Sequence, residues 1–213
     1  MVIILDMGSG ETCWNNRDDV RDMIKAVDDN DPREVEIILK WQLFRGGEFS
    51  HLKALHPGVF AYAYDYARQL GYATTASVFD ESSVRFLQSF TVPFVKIACV
   101  ENCRKYRFHV DGYWIDPSVM SFAGGSDTVS TKNALCCVRE YPAKLGHYEA
   151  QFTEEQLEAG ISDHTDHTKG MDLIEIYRPK LYETHFCLES QTGPDTGPFA
   201  LRPNQLRDML EAL

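Results

Sequence analysis

The sequence predicts a minimal (β/α)8 barrel, the TIM barrel of the α/β class, in which helices 4 and 5 are short or missing. Three observations support this prediction. Eight short apolar runs alternate along the chain with helical patterns or with loops. Polar residues cluster where those runs end, and the carboxyl ends of barrel strands are where such enzymes place their chemistry. The glycine-rich turn of an open dinucleotide-binding sheet is missing from the sequence.

The first part of the chain alternates predicted strands with helices. Residues 2–5 and 34–42 are apolar runs typical of buried strands. Between them, four apolar residues at helical spacing predict an amphipathic helix: Val20, Met23, Ile24 and Val27. A second helical pattern follows the second strand and closes at Gly71, a residue type that favours the end of a helix.

The same alternation continues into the middle of the chain and then weakens. The run at 73–79 is a third strand, and Asp80 is a good N-cap for the short helix after it. Pro93 opens the fourth strand. Residues 103–112 cannot hold a long helix, the run at 113–123 is strand-like after Pro117 and gives the fifth strand, and residues 124–132 read as a loop. The stretches at 103–112 and 124–132 are where we expect the trimmed helices.

The last third of the chain returns to a regular pattern. Residues 134–138 are the sixth strand, and Thr153 with Gln156 forms a capping box for the next helix. Two short strands that each end in a histidine follow, separated by one helix, and a last amphipathic helix closes the barrel. The prediction is therefore one barrel domain over residues 1–213.

Composition limits the classes of partner. The formal net charge of −11 and the lack of a basic run argue against nucleic acid or an anionic membrane as the main partner. The N-terminus has only a four-residue apolar run and an early Asp6, which fits neither a signal peptide nor a membrane span. Six cysteines without CxxC spacing are typical of reduced, buried thiols, so we expect a cytoplasmic protein.

The two histidine strands form the most informative feature. Alternation places Ser162 and His164 on one face of the first, and Glu183 and His185 on one face of the second. If these strands are parallel neighbours, both imidazoles reach the same end of the sheet, where they would bind a divalent metal. The alternative is that either histidine is a hydrogen-bonded core residue.

Two lysines end apolar strands and need a partner of opposite charge. An unpaired buried ammonium is costly, so Lys40 and Lys96 predict either an anionic ligand such as a phosphate or an internal salt bridge to Glu101 or Glu183. Arg139, at the end of the sixth strand, adds a bidentate anion donor.

Two further carboxylates have candidate roles. Glu101 follows the fourth strand, where it would serve as a general acid or base. The turn-rich loop at 192–198 is able to direct Asp195 into the barrel mouth, although composition alone favours a surface turn.

The sequence resembles the sialic acid synthase family, the phosphoenolpyruvate-dependent N-acetylneuraminate synthases and their relatives. The matches lie in the family's order, cover nearly the whole chain and correspond to the family's barrel without its antifreeze-like C-terminal domain. The matching segments are KWQ, ATTASVFDESSVRFL, VPFVKIACVE, ALCCVREYP, GISDHT and YETHFCLE followed by GPD.

The resemblance implies condensation of phosphoenolpyruvate with an open-chain sugar aldehyde, giving a 2-keto sugar acid and phosphate. It implies His164 and His185 as ligands of a divalent metal, usually Mn²⁺ with Mg²⁺ or another ion as alternatives, that polarises the aldehyde. It implies Glu101 as the catalytic carboxylate, with Lys96 and Glu11 as further catalytic candidates. The phosphoenolpyruvate-binding positions are Lys40, Ser77, Lys96, Cys99, Ser121, Arg139 and Ser162, and the sugar-binding positions are Gln42, Tyr141 and Asp195.

Departures from the family pattern keep two other functions open. Cys99 replaces the family's usual serine and Arg139 its usual asparagine, which favours a metal-dependent aldolase or isomerase that does not use phosphoenolpyruvate. The first loop lacks the family's Asn-His-x-Gly form, so Glu11 is only a weak match. The trimmed helices favour a non-catalytic barrel subunit, and apolar surface exposed by them would favour a homo-oligomer.

Overall fold

The computed structural model describes residues 1–44, 51–97, 99 and 134–213, together with the backbone of strands at 109–110, 113–114 and 119–122. It contains eleven strands within this part of the chain. They are β1 (Val2–Asp6), β2 (Glu36–Leu43), β3 (Ala73–Val78), β4 (Lys96–Ile97), β5 (His109–Val110), β6 (Tyr113–Trp114), β7 (Val119–Phe122), β8 (Ala134–Cys137), β9 (Gly160–Asp163), β10 (Leu181–Phe186) and β11 (Ala200–Leu201).

Eight of these strands close into a parallel barrel. Their order around it is β1, β2, β3, β4, β7, β8, β9 and β10, and β10 pairs in parallel with β1 to complete the ring. Every neighbouring pair in the ring is parallel, so all carboxyl ends lie at one mouth. The predicted (β/α)8 barrel is therefore confirmed.

Helices connect most of the strands. They are α1 (Arg17–Asp28), α2 (Pro57–Gln69), α3 (Glu81–Leu87), α4 (Leu145–Gln151), α5 (Glu154–Ala159), α6 (Asp172–Tyr177) and α7 (Pro203–Glu211). The two predicted caps are confirmed: Asp80 accepts a hydrogen bond from the backbone of Ser83 at 2.8 Å, and Thr153 with Gln156 forms the capping box of α5.

The connection between β4 and β7 differs from the helical ones. Its described part is the antiparallel pair β5–β6, and the rest of it lies outside the described residues. The connection between β7 and β8, where the fifth helix would stand, also lies outside them. In the part of the chain that is described, no helix has the length and apolar character needed to cross a bilayer.

Strand alternation divides the core into two parts. Ile3 and Leu5 point outward and pack against the apolar face of α1, which includes Val20 and Ile24. Inward-facing Ile4, Ile38, Phe94 and Leu135 form a separate apolar cluster that fills the amino-terminal end of the barrel. Because side chains alternate along a strand, the next inward position lies one layer nearer the mouth. Those positions carry the polar residues.

Candidate functional site

A cavity of about 450 Å³ opens at the carboxyl ends of the barrel strands. It lies directly above the apolar cluster, because its lining residues follow that cluster by two positions on several strands. Most of the residues predicted for the site line it together: Lys40, Gln42, Ser77, Lys96, Cys99, Arg139, Tyr141, Ser162, His164, His185 and Asp195.

Two buried lysines lie on the floor of this cavity, each paired with a carboxylate. The Lys40 ammonium is 2.5 Å from Asp6 Oδ2, 2.8 Å from the Ser77 hydroxyl and 3.8 Å from Glu183 Oε1. Lys96 forms an ion pair and hydrogen bond with Glu183. The internal salt bridge predicted as one alternative for Lys96 is thus present, with Glu183 as its partner.

The charges of these groups follow from burial and from their neighbours. Burial by itself raises the pKa of Asp6, but Lys40 and His185 outweigh it and hold that pKa below its ordinary value. Burial also raises the pKa of Glu183, and Lys40 with Lys96 lowers it below normal. Both carboxylates are therefore ionised at neutral pH.

The two lysines are not equivalent. Burial lowers the pKa of each ammonium, but Asp6 and Glu183 reverse this effect for Lys40, whose pKa is raised. The pKa of Lys96 remains lowered, because burial outweighs the attraction of Glu183 and Lys40 adds repulsion. Lys96 is therefore the lysine that gives up its proton more readily.

The two histidines meet at the mouth as predicted. Glu183 of β10 pairs in register with Ser162 of β9, so the histidines two residues further on lie at the same depth, with ring centroids 5.5 Å apart. His164 Nδ1 is 2.8 Å from the Val138 carbonyl oxygen, to which it donates its proton. This bond leaves His164 Nε2 as an unprotonated acceptor.

The state of both imidazoles fits a metal ligand in part. Burial and the neighbouring His185 lower the pKa of His164 to about 3, so this ring is neutral and has a lone pair to donate. His185 Nδ1 is buried without a hydrogen bond. Across the described ranges, no three His, Cys, Asp or Glu side chains are arranged to hold an ion. Within the described residues, the two imidazoles are therefore the candidate nitrogen donors for an ion.

The predicted sugar-binding residues line one side of the cavity. Gln42 Nε2 donates to Asp6 Oδ2 and to Asp195 Oδ1, each at 3.1 Å. Asp195 Oδ1 is also 3.6 Å from His185 Nδ1. Tyr141 stacks on the His164 ring with a centroid distance of 4.1 Å and is 53% exposed, so its ring covers part of the mouth.

Comparison with known proteins bears on the architecture around this cavity. No protein-family model matches the chain, and no curated protein matches its sequence. Solved structures do match. An N-acetylneuraminic acid (sialic acid) synthetase from Leptospira borgpetersenii, solved with citrate, aligns with a TM-score of 0.71 and 17% identity over 98% of this chain and 81% of its own. The chain has the barrel fold of the sialic acid synthases.

Other solved structures give the same result. A spore coat polysaccharide biosynthesis protein from Bacillus subtilis aligns with a TM-score of 0.67 and 22% identity, over 99% of this chain and 66% of its own. A truncated 3-deoxy-D-arabino-heptulosonate 7-phosphate synthase from Thermotoga maritima aligns with a TM-score of 0.63 and 9% identity, over 100% of this chain and 84% of its own. The family resemblance seen in the sequence motifs is therefore confirmed for the fold.

Three predicted site residues are not placed in the cavity. Glu11 accepts a hydrogen bond from the Lys53 backbone at 3.0 Å and is not among the residues lining the cavity. Ser121 lies in β7 by its backbone, and its side chain is outside the described part. Glu101 lies outside the described residues altogether, so its catalytic role remains a prediction.

Sequence reasoning left Asp6 and Cys137 out of the site, and it treated Glu183 as a neighbour of the histidines and a possible partner of the lysines, without naming it as a site residue. All three line the cavity. The signal that could have found Asp6 is the one used for the lysines, a charged residue at the end of an apolar strand. The pairing of Asp6 with Lys40 was not predictable from their spacing in the sequence. The two residues become neighbours because β1 and β2 lie side by side in the barrel.

Proposed function

We propose that the protein condenses phosphoenolpyruvate with a sugar or amino-sugar aldehyde, giving a 2-keto sugar acid and phosphate. One observation carries this proposal. A single cavity combines two buried lysines on its floor with two imidazoles at its mouth, the groups needed for an anionic donor and for a polarised carbonyl. The motif resemblance supports the same reaction, and the shared fold is compatible with it.

Binding of the anionic substrate must overcome a balanced charge. The cavity lining includes three cations, Lys40, Lys96 and Arg139, and an equal number of carboxylates. A phosphate or carboxylate of phosphoenolpyruvate would share the ammonium groups with Asp6 and Glu183, while the exposed Arg139 provides a bidentate contact at the entrance. Because the charges of the described lining residues balance, we expect phosphoenolpyruvate to bind more tightly when a divalent cation is present.

The histidine pair supplies the second half of the site. A divalent ion, with Mn²⁺ as the first expectation, bound by His164 and His185 would polarise the aldehyde oxygen. The protein contributes the orientation of these ligands. The Val138 carbonyl fixes the tautomer of His164, a residue that lines the cavity, and leaves its Nε2 free to bind an ion.

The two lysines and Glu101 would stabilise the charges and transfer the proton that the reaction requires. Carbon 3 of phosphoenolpyruvate forms a bond to the aldehyde carbon, water adds at carbon 2, and phosphate leaves. Lys40 and Lys96 would stabilise the negative charge of the donor throughout, and the aldehyde oxygen must gain a proton. Glu101 is the proposed carboxylate for proton transfer.

Phosphate release tests the reaction directly. Purified protein is incubated with phosphoenolpyruvate, Mn²⁺ or Mg²⁺ and a panel of aldoses and amino sugars, with chelator controls and mass spectrometry of the products. We expect metal-dependent phosphate release and a product that contains the three carbons of pyruvate. No turnover across a broad panel, together with no binding of phosphoenolpyruvate, would overturn the proposal.

Variants separate the two halves of the site. His164→Ala and His185→Ala should abolish metal binding, and Lys96→Ala should weaken phosphoenolpyruvate binding. Lys169→Ala is the matched control, because the Lys169 side chain is 80% exposed and lies outside the cavity lining. Unchanged metal content in both histidine variants would remove them from the site.

A second candidate is a metal-dependent aldolase or isomerase that does not use phosphoenolpyruvate. The observation in its favour is that both lysines already have carboxylate partners, and Cys99 and Arg139 stand at altered phosphate-binding positions. Metal binding without phosphoenolpyruvate binding, measured by calorimetry, would favour this candidate. Loss of both would instead favour a non-catalytic barrel subunit.

A further inference from the structure

We propose that Thr12 is a positioning residue that fixes the Asp195 carboxylate to accept hydrogen bonds from hydroxyl groups of the aldehyde substrate. This inference rests on the proposed function for its substrate, but its structural part is independent of it. Thr12 lies in the loop after β1, and Asp195 lies in the loop between β10 and β11. The barrel brings these distant loops together because β1 and β10 are neighbours.

The bond between the two residues is buried. The Thr12 hydroxyl donates to Asp195 Oδ2 at 3.0 Å. Thr12 has no exposed surface, and Asp195 is 8% exposed and lines the cavity. The other carboxylate oxygen, Oδ1, accepts from Gln42 at 3.1 Å. Among the described residues, each oxygen therefore has one side-chain donor, and these two donors come from the loop after β1 and from β2.

Two donors define the orientation of the carboxylate but do not saturate it. An ionised carboxylate has about four acceptor sites, so about two remain for other donors. Because Asp195 lines the cavity, these sites are available to a ligand there. His185 Nδ1 is 3.6 Å from Asp195 Oδ1. A polyhydroxy aldehyde whose carbonyl lies beside the histidines would place its hydroxyl groups within reach of Asp195.

The sequence of the first loop makes room for this bond. Gly8 adopts a positive φ of 74°, and a Cβ atom on it would lie 2.2 Å from Thr12 Oγ1 and 3.0 Å from Asp195 Oδ2. Any side chain at position 8 would therefore displace the hydroxyl or the carboxylate. The Gly8 carbonyl accepts a hydrogen bond from the Gln42 backbone at 3.0 Å, which fixes this turn to the strand that carries the second donor.

A second contact joins the same loops. Gly193, with a φ of 129°, lies against the Glu11 side chain: a Cβ atom on it would be 3.5 Å from Glu11 Cγ. The loop after β1 thus approaches the loop that carries Asp195 at Gly193 as well as at the Thr12 bond. This arrangement assigns the first loop a role in substrate recognition, although its Glu11 carboxylate does not line the cavity.

The test compares Thr12→Val, which is close in shape but cannot donate, with Thr12→Ser, which keeps the hydroxyl. Steady-state kinetics are measured with each substrate varied in turn, using the best aldose of the panel and its deoxy analogues. We expect Thr12→Val to raise KM for the aldose about tenfold, the effect of one hydrogen bond to a charged group. KM for phosphoenolpyruvate should change less than about twofold on the same reasoning, and Thr12→Ser should restore the aldose KM.

Deoxy analogues separate a positioning role from a general loss of structure. Thr12→Val should reduce the discrimination between the aldose and the analogue that lacks the recognised hydroxyl, whereas a destabilised fold would weaken all substrates alike. A wild-type aldose KM in Thr12→Val, or an equal effect on both substrates, would overturn the inference. Thr12→Ala serves in place of the valine variant if the latter does not fold.

Crystal structures of the wild type and both variants make the inference testable even if the proposed function fails. We expect the Asp195 carboxylate to rotate away in Thr12→Val and to stay in place in Thr12→Ser. An unmoved Asp195 in Thr12→Val would overturn the inference whatever the activity. A rotated Asp195 in a protein without turnover would support the positioning role and count against the proposed reaction only.

Discussion

The Lys40 ammonium lies 2.5 Å from the Asp6 carboxylate, where the neighbouring strands β1 and β2 face the barrel interior. Both side chains are almost fully buried, at 1% and 4% exposure. The pair follows the apolar cluster on its strands, and Asp6 Oδ2 is also 3.9 Å from His185 Nε2. It therefore connects the packing of the barrel to the chemistry proposed for its mouth.

Breaking this pair should be costly. Lys40→Met leaves Asp6 as a buried charge without its main partner, so we expect a loss of about 3–5 kcal/mol in the free energy of unfolding. The double variant Lys40→Met with Asp6→Asn should recover part of this loss, because the uncompensated charge is then removed. Urea unfolding of the two single variants and the double variant gives the coupling energy.

A surface pair provides the control for that cycle. Lys169 and Asp166 are 3.1 Å apart, but the lysine side chain is 80% exposed, so Lys169→Met should cost less than about 1 kcal/mol. An equal loss in the free energy of unfolding for Lys40→Met and Lys169→Met would show that the buried pair stabilises the fold no more than the surface pair does.

The free energy of unfolding should decrease at acidic pH. The pKa values of Asp6 and Glu183 are lowered in the folded state by the lysines, so the unfolded chain binds protons first as pH falls. The stabilisation is present above the unfolded pKa of about 4 and is lost as pH falls below it. Thermal unfolding between pH 3 and 7 should show this decline, and Asp6→Asn should flatten it. A melting temperature independent of pH in that range would contradict the prediction.

The hydrogen bonds of Tyr148 should hold the strand end that carries His164 in place. Its buried hydroxyl donates to the Ser162 carbonyl at 2.6 Å and accepts from the His164 backbone at 3.1 Å. Tyr148→Phe removes both bonds, so we expect a loss of about 1–3 kcal/mol in stability and about 10–100-fold weaker Mn²⁺ binding by calorimetry. The control is Tyr177→Phe, since the Tyr177 hydroxyl has a long 3.4 Å contact with Glu149. Similar metal affinities in the two variants would exclude this supporting role.

Three buried thiols should resist alkylation in the folded protein. Burial raises the pKa of Cys13 to about 11, of Cys136 to about 12 and of Cys187 to about 11, so each stays protonated at pH 8. Iodoacetamide labelling followed by peptide mass spectrometry should modify them only after denaturation. Rapid labelling of Cys136 in the native protein would show that the outer core around β8 opens readily.

The same shifts predict a decline in stability at high pH. Because the folded pKa values are raised, the unfolded chain loses these protons first, from its ordinary thiol pKa of about 8.5 upward. The melting temperature should therefore fall as pH rises from about 9 to about 11. Cys136→Ala, compared with the wild type at each pH, should show a smaller decline, and an equal decline would assign it to other groups.

The local sequence determined much of the fold. Apolar runs and helical spacings predicted the barrel strands, the capping residues Asp80 and Thr153, and the helices α1, α2 and α7, because each signal depends only on residues close in the chain. It also predicted that polar side chains would meet at the strand ends, since parallel strands place all their carboxyl ends at one mouth.

Only the tertiary structure decided which of those side chains become partners. Lys40 pairs with Asp6, Lys96 with Glu183, and Thr12 with Asp195, and the last two residues are 183 positions apart. Such pairs depend on the register between strands and on the closure of β10 onto β1, which no local periodicity encodes. The sequence determined which chemical groups reach the mouth of the barrel, and ring closure determined which of them lie within bonding distance.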